Sequence, residues 1–88
     1  MTEAVKQLIY DGKTEESIRL LDDYIAGHPG ADEAWYLRGN AYRKQEDYRQ
    51  ALNNYLKAME LNPESPAVEA HAMLMKILDY YHKDTYNP

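Results

Sequence analysis

The sequence predicts an all-α fold of five amphipathic helices without strands. Apolar residues recur at i, i+3 and i+4 through most of the chain, the mark of a helix with one buried face. The pattern also repeats at an offset of 34: Gly27-His28-Pro29 returns as Leu61-Asn62-Pro63, Ile18 matches Leu52, Leu21 matches Tyr55, Ile25 matches Met59 and Leu8 matches Tyr42. Mostly apolar-for-apolar matching at a fixed spacing, across helices and turns alike, means one supersecondary unit built twice.

The elements follow in chain order. A first helix covers about residues 2 to 11 and turns at Gly12-Lys13; Thr14 then caps a second helix reaching about residue 26. Asp32 is the expected cap of a third helix over 33 to 45. In the stretch from Asp47 to Leu61, the residues Tyr48, Ala51, Leu52, Tyr55, Ala58, Met59 and Leu61 fall on one helical face. Asp47 followed by Gln50 resembles a capping box, and Pro63 ends the helix. Ser65-Pro66 opens the fifth helix, with serine at the cap and proline where its missing N–H costs nothing. This helix is expected to run to about His82, leaving the last residues, 84 to 88, as a fraying tail.

Eighty-eight residues, 44% hydrophobic and 28% charged, make one small ordered domain. No apolar run approaches the roughly 20 residues of a membrane-spanning helix. The amino terminus has no cationic segment followed by an apolar stretch, so no signal peptide is read there. Cysteine is absent, which removes disulfides and thiolate chemistry. The net charge of −5 opposes general affinity for nucleic acid or anionic membranes. A soluble cytoplasmic module is expected.

Residues 32 to 65 resemble a tetratricopeptide repeat. The family pattern is met by Trp35, Gly39, Tyr42, Ala51, Tyr55 and Pro63, with Ala58 also in place. Arg38 stands at the family's leucine position and Glu46 at its usual turn glycine. Residues 1 to 31 resemble a degenerate first copy, keeping Gly12 and Pro29, with Ser17 for alanine, Leu21 for the aromatic and Tyr24 for a small residue. Residues 66 to 83 form a closing helix in which Glu69, Met73 and Lys76 replace Trp35, Gly39 and Tyr42. The resemblance implies an α-α superhelix of antiparallel helix pairs, about two and a half repeats long. It further implies a non-enzymatic protein-interaction module whose first-type helices line a concave groove.

Carrying the family's groove positions across by the same offset gives Thr2, Lys6, Ile9 and Tyr10 from the first copy. The second copy supplies Tyr36, Asn40, Arg43 and Lys44, and the closing helix Ala70, Leu74, Ile77 and Leu78. The closing helix is unusually apolar for a terminal element. With about 100° between successive residues, Ala67, Ala70, Leu74, Ile77, Leu78 and Tyr81 gather on one side. Val68 and Met75 widen that sector to roughly half the circumference, His71 and His82 sit within it, and Glu69, Lys76, Asp79 and Lys83 hold the other side. Either this helix is buried from two directions or part of it meets another chain. A protein or peptide partner and self-association are both expected, the alternative to a recruiter being a homodimer that only completes an undersized core.

Other constellations carry less. Trp35, Tyr42, Tyr48 and Tyr55 lie at core spacing. Arg43, Lys44 and Asn40 suit a carboxylate or an acidic peptide, or form a solvated face paired with Glu46 or Asp47. The resemblance also suggests a clamp, used by some tetratricopeptide repeats, for a peptide's terminal carboxylate; Lys6 and Asn40 fit it loosely, but Leu74 and Ile77 bring no charge from the closing helix. His71 and His82 stand eleven residues apart, roughly 16 Å along a helix, too far to share a metal, and His28 lies in a turn. No nucleophile–base spacing or phosphate loop occurs, and Glu15, Glu16, Asp22 and Asp23 read as a solvent face. No catalytic residue, cofactor or metal is expected.

Overall fold

A computed structural model describes the backbone of residues 2 to 86, and side chains as far as Tyr81. Five helices follow in order: α1 (Thr2–Tyr10), α2 (Thr14–Gly27), α3 (Asp32–Lys44), α4 (Tyr48–Leu61) and α5 (Ala67–Tyr86). The described residues contain no strand. The first four helices form two hairpins, α1/α2 and α3/α4, stacked through α2 and α3, and α5 closes the stack against α4. No described helix is long and apolar enough to cross a membrane.

The two hairpin turns are built alike. Gly12 and Glu46 both take positive φ, at 83° and 65°. The Gly12 N–H donates to Ile9 O (3.0 Å) and the Glu46 N–H to Arg43 O (2.9 Å); Lys13 donates to Leu8 O and Asp47 to Tyr42 O. A left-handed residue is needed at this point to reverse the chain after one more hydrogen bond, which glycine does without penalty and glutamate does not. The offset of 34 is therefore a backbone repeat as well as a sequence repeat.

Helix starts agree with the sequence in two cases and differ in two. Asp47 Oδ1 accepts from the Gln50 N–H (3.3 Å), and Ser65 Oγ accepts from the Ala67 N–H (3.0 Å). Thr14 and Asp32, expected as caps, are instead the first residues of their helices; Lys13 and Ala31 are the cap residues and provide no side-chain bond. The two side chains bond instead to residues far along the chain. Thr14 Oγ1 accepts from Gln45 Nε2 (2.9 Å), which ties the turns of the two hairpins together, and Asp32 Oδ2 accepts from Asn62 Nδ2 (3.1 Å), which ties the start of α3 to the end of α4 within one repeat. The end of α5 also differs. The helix continues to Tyr86, so residues 84 to 86 of the expected tail are helical; Asn87 and Pro88 lie outside the described residues.

The core falls into two clusters. Val5, Leu21, Ile25, Ala34 and Leu37 fill the space among α1, α2 and α3. Ala51, Tyr55, Ala58, Ala67 and Leu74 fill that between α4 and α5. Trp35 and Tyr36 pack against both. Trp35 is further held by its Nε1–H donating to Pro29 O (3.0 Å). At the family's leucine position, Arg38 lies 5.6 Å from the Trp35 ring and pairs with Asp22 (3.0 Å), bridging the repeats. Its Nε is buried without a hydrogen-bond partner.

Candidate protein-binding groove

The closing helix does not present the face that its sequence position implies. On α3 the buried edge toward α2 is Ala34, Leu37 and Ala41. An offset of 34 carries these to Val68, His71 and Met75, yet Val68 is 38% and Met75 47% exposed. Ala67 and Leu74 are buried instead, so α5 sits rotated by about one residue. Leu74 is only 1% exposed, packed in the cluster that holds Tyr55. Its expected role in contacting a partner is therefore corrected: Leu74 is core. Ala70 and Leu78 also pack against that cluster, but remain partly exposed. Ile77 and Tyr81, at 38% and 68% exposure, face outward.

A cleft runs between α3 and α5, lined by Tyr36, Arg43, Pro66, Glu69, Ala70 and Met73. Tyr36, on its α3 wall, is backed by close packing between α3 and α4. Gly39 lets the Tyr55 ring lie against α3, and that ring reaches across to Tyr36, at 6.0 Å between centroids. The Tyr55 hydroxyl donates to Asn40 Oδ1 (2.5 Å), fixing the amide that the sequence assigned to the groove. Burial pushes the Tyr55 hydroxyl above the ordinary tyrosine pKa, and the Arg43 guanidinium beside it offsets part of that rise. Among the described residues Arg43 and Lys44 make no ion pair, with Glu46 and Asp47 or with any other carboxylate.

The α1 end of the predicted groove is more exposed. Lys44 Nζ donates to Tyr10 O (3.3 Å) and stands 5.9 Å from the Tyr10 ring, which joins α3 to the end of α1. Lys6 is exposed and paired with Glu3 (3.6 Å). Thr2 and Ile9 are partly buried. Tyr36, Arg43 and Ala70 thus line the cleft, with Asn40 next to them on the Tyr55 hydroxyl, whereas Lys6, Tyr10 and Lys44 lie outside it, at α1 and the α1–α3 contact. Pro66, Glu69 and Met73 line the cleft without having been predicted; Met73 could have been found from the bulk that it sets at the third counterpart of Gly39. His82 lies outside the described side chains. Among the described residues no three His, Cys, Asp or Glu side chains converge as metal ligands.

A continuous stack of antiparallel helix hairpins defines an all-α helical-repeat fold. The tetratricopeptide repeat model matches residues 32–65. The solution NMR structure of Bacteroides fragilis protein BF1650 is similar at 50% identity and a TM-score of 0.87, over 97% of this chain and 87% of that one. An uncharacterized protein of Treponema pallidum (strain Nichols) is 36% identical over 67 residues, covering 69% of this chain and 13% of that protein. The formate-dependent nitrite reductase complex subunit NrfG of Escherichia coli O157:H7 is 35% identical over 66 residues, 75% of this chain and 32% of the relative. The chain thus spans a third or less of these two relatives. It belongs to the tetratricopeptide repeat family, whose members are in general non-enzymatic modules for protein–protein interaction.

Proposed function

We propose that this chain binds a segment of a partner protein in the cleft between α3 and α5. The observation that carries this reading is a guanidinium that forms no ion pair among the described residues, Arg43, set opposite the apolar wall of Ala70, Met73 and Pro66, with Glu69 on the same rim. Such a site anchors an apolar side chain and orients a polar group beside it. Ile77 and Tyr81 extend the wall along α5, and Lys6, Tyr10 and Lys44 continue the surface toward α1. A relative named as a subunit of a complex is consistent with binding to a protein partner. The same reading gives the chain no catalytic activity or cofactor. It acts in the cytoplasm, and its net charge of −5 disfavours nucleic acid and anionic membranes as partners.

The test is selection from a phage-displayed library of random twelve-residue peptides on the intact protein. Selected peptides should perturb the amide resonances of α3 and α5, and Arg43→Gln or Met73→Glu should weaken them about tenfold. Peptides that bind both variants as tightly as the parent, or a selection that yields none, would overturn the proposal.

A further inference from the structure

The rotation of α5 exposes a second flank, Val68, Ala72 and Met75, which meets the cleft only along the Glu69 edge. On α3 the residues Trp35, Gly39 and Tyr42 face α4, and Gly39 is where the Tyr55 ring comes closest. With α5 rotated by one residue, Val68, Ala72 and Met75 take the corresponding place on its surface. All three are exposed. Their spacing of four and three residues forms a stripe, with small Ala72 at its middle, where α3 has Gly39. That is a surface shaped to receive a helix, and no described helix of this chain covers it.

The charges along its edge specify which helix. Glu69 and Lys76 lie seven residues apart, hence on the same edge and about 10 Å apart along the axis. They are too distant to pair with each other, and neither is ion-paired among the described residues. An antiparallel copy of the same helix, related by a two-fold axis between Ala72 and Met73, sets Glu69 opposite Lys76 and Lys76 opposite Glu69. The arrangement also brings Asp79 to the N-terminus of the other α5, where a carboxylate is favoured by the helix dipole. One edge thus satisfies itself twice under a two-fold operation, the condition for an isologous contact.

We propose that two copies of this chain pair through α5, antiparallel, with Val68, Ala72 and Met75 at the centre and reciprocal Glu69–Lys76 contacts beside them. Ala70, Met73 and Ile77 lie on the other flank of the helix. Glu69 stands at the boundary, on the rim of the cleft as well as beside the stripe, so pairing narrows that rim but leaves the Ala70–Met73 wall of both clefts open, in contrast to a dimer that only completes a core. The stripe is short, so the pair is weak, with a dissociation constant of roughly micromolar or above. Where the proposed groove function holds, the pair presents two sites to one partner and gains avidity.

Sedimentation velocity on the full chain, from about 10 µM to 1 mM, tests the pairing. The parent should shift from monomer toward dimer across that range. Ala72→Glu, at an exposed position, should keep its helical circular dichroism and remain monomeric. Glu69→Lys and Lys76→Glu should each weaken pairing about tenfold, and an equimolar mixture of the two should recover it. A monomer at every concentration overturns the inference, as does a dimer that is indifferent to these three changes or is lost only with Met73→Glu or Ile77→Glu. Peptide binding by monomeric Ala72→Glu keeps the two proposals separable: a groove that still works there stands whatever becomes of the pair.

Discussion

The ring of Tyr55 lies so close to Gly39 that a Cβ at position 39 would stand 2.6 Å from two of its carbons and 3.2 Å from the Ala51 carbonyl oxygen. The ring is fully buried and its hydroxyl is held by Asn40, so it has nowhere to retreat. Gly39→Ala should therefore destabilise the fold by about 1–3 kcal/mol, although alanine favours helix. Urea denaturation of the two proteins side by side measures the loss; a variant as stable as the parent contradicts the packing described.

Glu46 makes the opposite case. It holds a positive φ at the turn where Gly12 serves in the first hairpin. Glu46→Gly should stabilise by about 0.5–1 kcal/mol, visible as a rise of a few degrees in melting temperature.

At the centre of the α4–α5 contact, Leu74→Ala should cost about 2–5 kcal/mol, a large share of the stability of a domain this small. Leu74→Glu should unfold it outright. Loss of partner binding in either variant thus reports unfolding, which circular dichroism at 222 nm detects directly.

Arg38→Leu should raise stability by about 1 kcal/mol. The change removes a buried Nε without a partner, whereas the ion pair it gives up involves the half-exposed Asp22. A lower denaturation midpoint would instead assign the arginine a net stabilising role.

Tyr55 links stability to alkaline pH. Burial raises its pKa in the folded state, so the folded chain holds the phenolic proton more tightly than the unfolded chain. Its contribution is complete below the unfolded value of about 10 and is lost as pH rises through the folded value. Melting temperature should fall above about pH 10, and Tyr55→Phe should flatten that fall while costing about 1 kcal/mol at neutral pH.

The helical order, both hairpin turns and the caps Asp47 and Ser65 were legible in the sequence, because each follows from local spacing or from a residue's own backbone preference. The face on which α5 packs was not. With half its circumference apolar, the sequence offers Ala67 and Leu74 or Val68 and Met75 as equally greasy edges, and only packing against Tyr55 and Ala58 selects the first. Thr14 and Asp32 read as caps for a related reason: their bonds to Gln45 and Asn62 span about thirty residues, beyond any local pattern. Nor does a glycine or proline stop α5 before Pro88, so the sequence gives no sign of its end. In the groove, Tyr36, Asn40 and Arg43 followed from the repeat, whereas Met73 and Pro66 depend on how α5 is seated.

Trp35 is the one indole in the chain, and it touches both core clusters while standing near the cations of Arg38 and Lys57. Its emission consequently watches the joint between the halves rather than either half alone. If the halves came apart before melting, the fluorescence would change ahead of the loss of helix; coincident curves would mean that this single ring helps bind the stack into one cooperative unit.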